Sequence, residues 1–294
     1  MKIGYFADGP WAHNAFKIIN ADPRFSIAFI CVRYDSGDLV LAELAEKYNI
    51  DLLSHKKVSS NEFLESVKKY QCDIFVSMSF NQIFTRQFIN ATPFKTINCH
   101  AGKLPFYRGR NVLNWVLING ETDFGITVHY VDEGIDTGDI ILQKVYPVRD
   151  EDDYSTLLSV AKDECATLLY DALVLLKSGN KTVIKQESID PFGMYCVQRK
   201  IGDEIINWNQ SSRDIFNFIR AISPPGPSAR SILKGHEIKI HRAKMIDNAH
   251  IYKLIPGAVV GKSDNAIMVK TLDSVIELCE YEYSKSIRIG DRFK

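Results

Sequence analysis

From Lys2 to Pro147, short apolar runs alternate with stretches of helical spacing, and this alternation narrows the available folds more than any other feature. Ser26 to Val32 reads SIAFICV, a nearly continuous apolar run of the kind found in strands buried on both faces of a parallel sheet. Lys2–Phe6, Asp51–Leu53, Ile74–Val76 and Thr96–His100 are its companions, separated by helical stretches at Trp11–Ile19, Leu39–Tyr48 and Asn61–Tyr70. The pattern predicts an α/β domain with an open, mostly parallel, doubly wound sheet and right-handed crossovers. A polar loop then runs from Ala101 to Arg110. A helix over 111–119, strands over Phe124–Tyr130 and Ile140–Pro147, and a long helix over Tyr154–Lys177 follow, closed by Ser178-Gly179-Asn180.

Pattern fades over residues 181–200, which reads as a linker. One further helix, Ser212–Ile222, precedes Ser223-Pro224-Pro225-Gly226-Pro227. Short β-like runs follow at 237–241, 257–260, 266–270 and 274–278, the spacing of a small β-barrel of OB type or a sandwich. The expected division is therefore a catalytic domain over 1–180, a linker over 181–200 and a small β-rich domain over 201–294. A chain of 294 residues suits two domains.

The 36 Lys+Arg balance 36 Asp+Glu, which argues against a strongly basic nucleic-acid binder and against an acidic disordered tail. No apolar run approaches the ~20 residues of a membrane helix. The start, MKIGYFADGPW, lacks a secretory layout. Cys31, Cys72, Cys99, Cys165, Cys196 and Cys279 are scattered without a C-x-x-C pair. Reduced thiols in a cytoplasmic protein are the simplest reading, with no metal site. Neither G-x-G-x-x-G nor G-x-x-x-x-G-K-[ST] occurs.

Asn98 and His100 stand two apart at the carboxyl end of a strand, so their side chains share a face where ligands bind in open α/β sheets. An amide can donate to a developing oxyanion and an imidazole can move a proton near neutral pH. The plainer reading is a turn-capping Asn and a His satisfied by the backbone. Asp132, Glu133, Asp136 and Asp139 crowd a turn punctuated by Gly134 and Gly138, and one carboxylate there could fix the His100 tautomer. The same residues also suit an ordinary Asp/Gly turn, and they lack a calcium-loop pattern. Lys103, Arg108 and Arg110 put three cations close behind His100, suited to a phosphate-bearing substrate or to a solvated basic turn. Ser77–Phe84 (SMSFNQIF) leaves a strand at the same sheet end, as the wall of a flat ligand pocket or as a loop entering the core.

Together these segments resemble the formyltransferases that use 10-formyltetrahydrofolate. Asn98-Cys99-His100, then Leu104-Pro105-Phe106-Tyr107-Arg108-Gly109, then Ile135-Asp136-Thr137-Gly138 match the family's three motifs in order. Ile206-Asn207-Trp208, Ile219-Arg220-Ala221 and Pro225-Gly226-Pro227 resemble its carboxyl-terminal barrel domain, so nearly the whole chain is covered. The resemblance implies a catalytic triad of Asn98, His100 and Asp136, with the folate donor held against Gln82, Ile83, Phe84 and the Asp132–Asp136 loop. It implies no metal. Ala101 departs from the glycine the family often carries after the histidine, which bears on how tightly the loop turns.

Within the family, purine-pathway members open with a Gly/Ser/Asn-rich phosphate loop that Ala7-Asp8-Gly9-Pro10-Trp11 does not match. Methionyl-tRNA formyltransferases usually carry a basic insertion after the second strand, where this chain runs through Arg33–Asp38 directly into a helix. The stretch Arg108–Thr122 is most similar to enzymes that formylate nucleotide-linked 4-amino sugars for surface polysaccharides such as O-antigen. The implied partner is thus a small-molecule nucleotide sugar, not a nucleic acid or a membrane. Trp11, Ser79, Lys103, Tyr107, Arg108 and Arg110 are the expected acceptor contacts. Methionyl-tRNA is the alternative acceptor, and a non-catalytic nucleotide-binding module is the third reading. Apolar surface in the terminal domain would suit a homodimer.

Overall fold

The computed structural model describes residues 1–179, 182–263 and 265–294. The expected domain boundary at 180/181 lies outside them. By contact the chain divides into two units, the first comprising Met1–Gly109, Gly125–Tyr146 and Ser159–Cys196, the second Arg110–Phe124, Pro147–Leu158 and Val197–Lys294. This division differs from the serial one expected.

The first unit is built on β1 (Lys2–Ala7), α1 (Gly9–Ala21), β2 (Ser26–Val32), α2 (Leu39–Lys47), β3 (Asp51–Ser54), α3 (Asn61–Lys68), β4 (Ile74–Met78), α4 (Arg86–Ile89) and β5 (Thr96–His100). A two-residue strand β6 (Arg108–Gly109), helix α5 (Val112–Ile118), β7 (Asp123–Tyr130), β8 (Ile140–Pro147), α6 (Tyr154–Lys177) and a two-residue strand β9 (Tyr195–Cys196) follow. The seven-stranded sheet has the order β3-β2-β1-β4-β5-β7-β8. Its first five strands are parallel, and β7 turns antiparallel on β5. The order runs outward from β1 in one direction and from β4 in the other. The carboxyl ends of β1 and β4 therefore flank the switch point where such sheets open a crevice.

Phenylalanine fills one face of this sheet. Phe6 meets Phe29, Phe63, Phe75, Phe80, Phe84 and Phe88 edge-on, with centroids 5.3–6.4 Å apart. Such edge-to-face pairs each add roughly 0.5–1.5 kcal/mol beyond the area they bury. Helix starts are fixed by caps: Ser60 Oγ accepts from Phe63 N, and Asp38 accepts from Leu41 N.

The segment expected to be a linker is packed onto the first unit as far as Cys196. Ile184 forms an antiparallel bridge with Ile140, and β9 pairs in parallel with β6. Its order comes from these bridges and from side chains bonded to distant partners, which leaves no periodicity to read.

In the second unit, α7 (Ser212–Ala221) precedes β10 (Ala229–Leu233), β11 (His236–Met245), β12 (Val259–Lys262), β13 (Ile267–Lys270) and β14 (Val275–Glu282). The antiparallel sheet order is β10-β11-β14-β13-β12. Chain-terminal residues bridge its two edges, with Leu233 opposite Phe293 and Ala258 opposite Arg292. The sheet is thereby closed into a barrel. Helix α5 belongs to this unit, where Asn114 Nδ2 donates to the Ala221 carbonyl at the end of α7.

Candidate active site

Antiparallel register places Asn98 of β5 opposite His129 of β7, and His100 opposite Thr127. Directly opposed residues share a face, so two histidines and an amide converge at one strand end. The Asn98 amide nitrogen lies 3.2 Å from His129 Nε2. His129 Nδ1 lies 2.7 Å from the Tyr130 carbonyl, and His100 Nε2 lies 2.7 Å from the Tyr107 carbonyl. Carbonyls only accept, so these two contacts place a proton on His129 Nδ1 and one on His100 Nε2.

The close approach at His100 depends on Gly102. A Cβ there would meet His100 Nε2 and the Tyr107 carbonyl oxygen, each at 2.5 Å. Thus the loop's need for glycine falls at 102, with Ala101 tolerated beside it. Thr127 ties the same loop down, its Oγ1 donating to the Gly102 carbonyl and accepting from Gln143 Nε2.

Asp136 comes from the turn between β7 and β8 and adopts a left-handed backbone, φ +55°. Its Oδ2 lies 3.6 Å from His100 Nδ1, and its Oδ1 lies 3.5 Å from His129 Nε2. The Gly109 N–H donates to Oδ2 at 2.9 Å. Burial pushes the carboxyl up, but His100, then His129 and the Gly109 N–H, outweigh it and hold the group well below the ordinary carboxylate range. The turn closes tightly because position 138 has no side chain: a Cβ on Gly138 would lie 1.9 Å from the Tyr130 carbonyl oxygen.

The three residues expected to form a triad therefore meet. His129 joins them, and the sequence reading missed it. Its signal was there, since it shares the parity of Thr127 along β7, but only the β5–β7 register reveals the pairing.

Other expected contacts are distributed unevenly. Arg108 is 7% exposed, and its donors run to Gln186 Oε1, the Phe192 carbonyl and the Tyr195 hydroxyl. It clamps the 186–195 segment, which takes four of its five N–H donors. Tyr107 is buried and left-handed, offering its carbonyl to His100. Arg110 falls in the second unit, exposed and donating to Gln198. Lys103 and Trp11 are half-buried in the first unit.

Around the switch point, Ser79 is exposed with φ +60°, and its carbonyl accepts from Arg33. Arg33 also pairs with Asp8 at 3.2 Å, and its Nε is buried without a hydrogen-bond partner. Gln82 is tied to the Val58 N–H and the His55 carbonyl, and Phe84 enters the phenylalanine core. Ile83, between them, keeps its side chain 77% exposed. Asp132 Oδ1 accepts from Gly134 N and Thr137 Oγ1 inside its own turn.

Among the described residues, no group of three or more His, Cys, Asp or Glu side chains is placed to hold a metal ion. Nor is any helix among them long and apolar enough to cross a membrane.

Residues 39–173 match the family described as Formyl transferase, and residues 200–291 match Formyl transferase, C-terminal domain. The methionyl-tRNA formyltransferase of Pelotomaculum thermopropionicum is 32% identical over 248 residues, 84% of this chain and 78% of that protein. That of Fusobacterium nucleatum is 34% identical over 238 residues, 79% and 74% respectively. Among solved structures, WlaRD, a sugar 3N-formyl transferase crystallised with dTDP and 5-N-formyl-THF, superposes with a TM-score of 0.70 at 19% identity, covering 97% of this chain and 99% of its own. A 4-N formyltransferase from Francisella tularensis gives 0.62 at 22% identity, covering 78% and 91%. At these identities the solved structures establish a shared fold.

Proposed function

The chain belongs to the formyl transferase family and is an N-formyltransferase using a folate-type donor; from that premise we propose that it carries the formyl group of 10-formyltetrahydrofolate to the amine of a nucleoside-diphosphate-linked 4-amino-4,6-dideoxysugar, in surface polysaccharide (O-antigen) biosynthesis. In this reading Asn98, His100 and Asp136 are catalytic. Gln82, Ile83, Phe84, Asp132 and Asp136 form the donor side, and Trp11, Ser79, Lys103 and Tyr107 the acceptor side. The site chemistry suits the donor: Ile83 offers exposed apolar surface to a flat ring, and the Asp132–Asp136 turn offers acceptors to an aminopyrimidine. When bound, the donor supplies an electrophilic formyl carbon and a nitrogen leaving group.

As the acceptor amine adds to that carbon, the formyl oxygen gains charge. Asn98 spends one amide N–H on His129 and has a second to stabilise the oxygen. His100, once protonated at Nδ1, carries a positive charge beside it. Asp136, held ionised, stabilises that imidazolium, accepts the proton the amine releases, directly or through a water, and passes it to the donor nitrogen as the bond from that nitrogen to the formyl carbon breaks and the carbonyl re-forms on the new amide. A single oxyanion donor is worth roughly 10²–10³ in rate.

The acceptor reading rests on the charge arrangement of the second unit. From residue 201 onward there are 14 Lys+Arg against 11 Asp+Glu, and five of these cations are paired with carboxylates. Lys234 meets Asp291 at 2.7 Å, Arg213 meets Asp150 at 2.7 Å, and Arg242 meets Glu280 at 3.2 Å. Arg230 meets Glu237 at 3.4 Å, and Lys239 meets Glu282 at 3.7 Å. Gripping an RNA backbone demands cations free to replace its counterions, and these already face carboxylates.

The methionyl-tRNA reading draws its support from the curated relatives above. Incubation with formylated folate and a panel of nucleotide amino sugars, beside initiator methionyl-tRNA, decides between them. A formylated nucleotide sugar is expected. Formyl-methionyl-tRNA with no sugar product would overturn the proposal.

A further inference from the structure

Gln186 lies in a single 3-10 turn, Gln186–Ser188, and is 3% exposed. Its Oε1 accepts from Arg108 Nε at 3.0 Å and Nη2 at 2.7 Å. Its Nε2 donates to the carbonyls of Asp136 at 2.8 Å and Gly138 at 2.7 Å. A guanidinium only donates and a carbonyl only accepts, so the amide has one allowed orientation and all its hydrogen-bonding capacity is used. A closed circuit results. The Asp136 carboxylate holds the Gly109 N–H, Arg108 precedes Gly109, Arg108 grips Gln186, and Gln186 returns to the Asp136 carbonyl.

Asp136 is thus held at both its carboxylate and its carbonyl, in a left-handed conformation that a non-glycine residue adopts only when its surroundings dictate it. Two loops far apart in sequence, each bearing part of the catalytic machinery, are coupled through one buried amide. No acceptor, donor or proton is within that amide's reach to react with, because its atoms are fully committed.

We propose that Gln186 is a positioning residue that sets the Asp136 carboxylate at its working distance from His100, so that it governs the proton-transfer step through Asp136. The inference rests on the reading of Asp136 as the group that pairs with His100 and takes the proton. The charged and titratable groups facing Asp136 are His100 from β5 and His129 from β7, with Arg108 reaching it through Gln186. Loss of the amide frees the turn, weakens the contacts to His100 and to the Gly109 N–H, and so moves the Asp136 titration upward.

The test compares Gln186→Glu, Gln186→Leu and Asp136→Asn with wild type, measuring kcat, KM for formylated folate, the pH–kcat profile and the melting temperature. Gln186→Glu is nearly isosteric and keeps its bond to Arg108, but turns an acceptor oxygen on two carbonyls. A displacement of about 1 Å at a reacting group reduces rate by about 10²-fold. The expected result is a kcat loss of about that size in Gln186→Glu and Gln186→Leu, with KM within about 3-fold and the acid limb of kcat shifted to higher pH.

If Gln186→Leu does not fold, Gln186→Glu decides. A folded Gln186→Glu with wild-type kcat and acid limb overturns the proposal, and so does failure of both variants to fold, which would make Gln186 a staple of the fold alone. Full activity in Asp136→Asn would overturn the underlying site reading as well. Inactive Asp136→Asn beside unaltered Gln186 variants would sink only the positioning role.

Discussion

The Asn98 side chain shows how a neighbour decides what a group proposed as catalytic can do. An amide can present either an oxygen or an N–H to a ligand. Because His129 Nδ1 carries the proton that meets the Tyr130 carbonyl, its Nε2 is the acceptor for the Asn98 N–H in the neutral ring. That contact leaves the amide a second N–H. Asn98→Ala is accordingly expected to lower kcat by roughly 10²–10³ with a small change in KM, since the bond it removes forms as charge develops. Steady-state kinetics on folded protein check this, and a change under tenfold would remove Asn98 from the machinery. The pairing of Asn98 with His100 was legible in sequence because a strand repeats every two residues. His129 was not, because a one-residue change of antiparallel register would have turned it to the other face.

At the scale of elements, one carboxylate organises the entrance to the switch point. Asp38 caps α2 through Leu41 N at 2.9 Å, accepts from Gly9 N at 2.8 Å at the start of α1, and pairs with His13 Nε2 at 2.7 Å. The first turn of α1 is therefore met by a carboxylate of the chain itself, where purine-pathway relatives would place a phosphate loop. Burial raises the Asp38 pKa, but the Leu41 and Gly9 N–H groups and His13 outweigh it, so the net shift is downward. A carboxyl depressed in the folded state contributes stability above its unfolded pKa of ~3.9 and loses it as pH falls through the folded value.

Asp38→Ala is expected to destabilise the protein by about 1–2 kcal/mol at pH 7 in urea unfolding, as lost caps do. The gap to wild type should narrow below pH ~4. A pH-independent gap would show that the effect is not carried by the ionised group. Elements with strong apolar period were readable, as Ser26–Val32 and Tyr154–Lys177 show by matching their observed bounds. Strand β10 (ARSIL) was missed, because its polar and small residues follow a Pro/Gly-rich turn and its identity comes from pairing with β11. The 182–196 segment escaped for the same kind of reason: Gln186 and Arg108 order it through contacts that no local window contains.

At the scale of the whole molecule, the second unit's sheet has two edges that the last residues join. Phe293 N donates to the Gly257 carbonyl at 2.9 Å and Lys294 N to the Ile232 carbonyl at 3.0 Å, so consecutive residues address opposite edges of the sheet. The Phe293 ring, 2% exposed, stacks on Trp208 at 5.1 Å, and Trp208 Nε1 donates to Ser231 Oγ. The β-like runs were visible in the sequence, but not their closure, because Asp291-Arg292-Phe293-Lys294 has no strand pattern of its own. Closure is a consequence of one aromatic side chain anchoring a short segment. Phe293→Ala removes that anchor and leaves a cavity beside Trp208, a change of about 3–5 kcal/mol in comparable cores. Amide exchange should then accelerate in both edge strands, β10 and β12, while the parallel sheet of the first unit retains its protection. Exchange unchanged at both edges would mean that the backbone bridges hold without the ring. Acceleration at one edge alone would mean that the segment serves as an ordinary edge strand rather than as the clasp of a barrel.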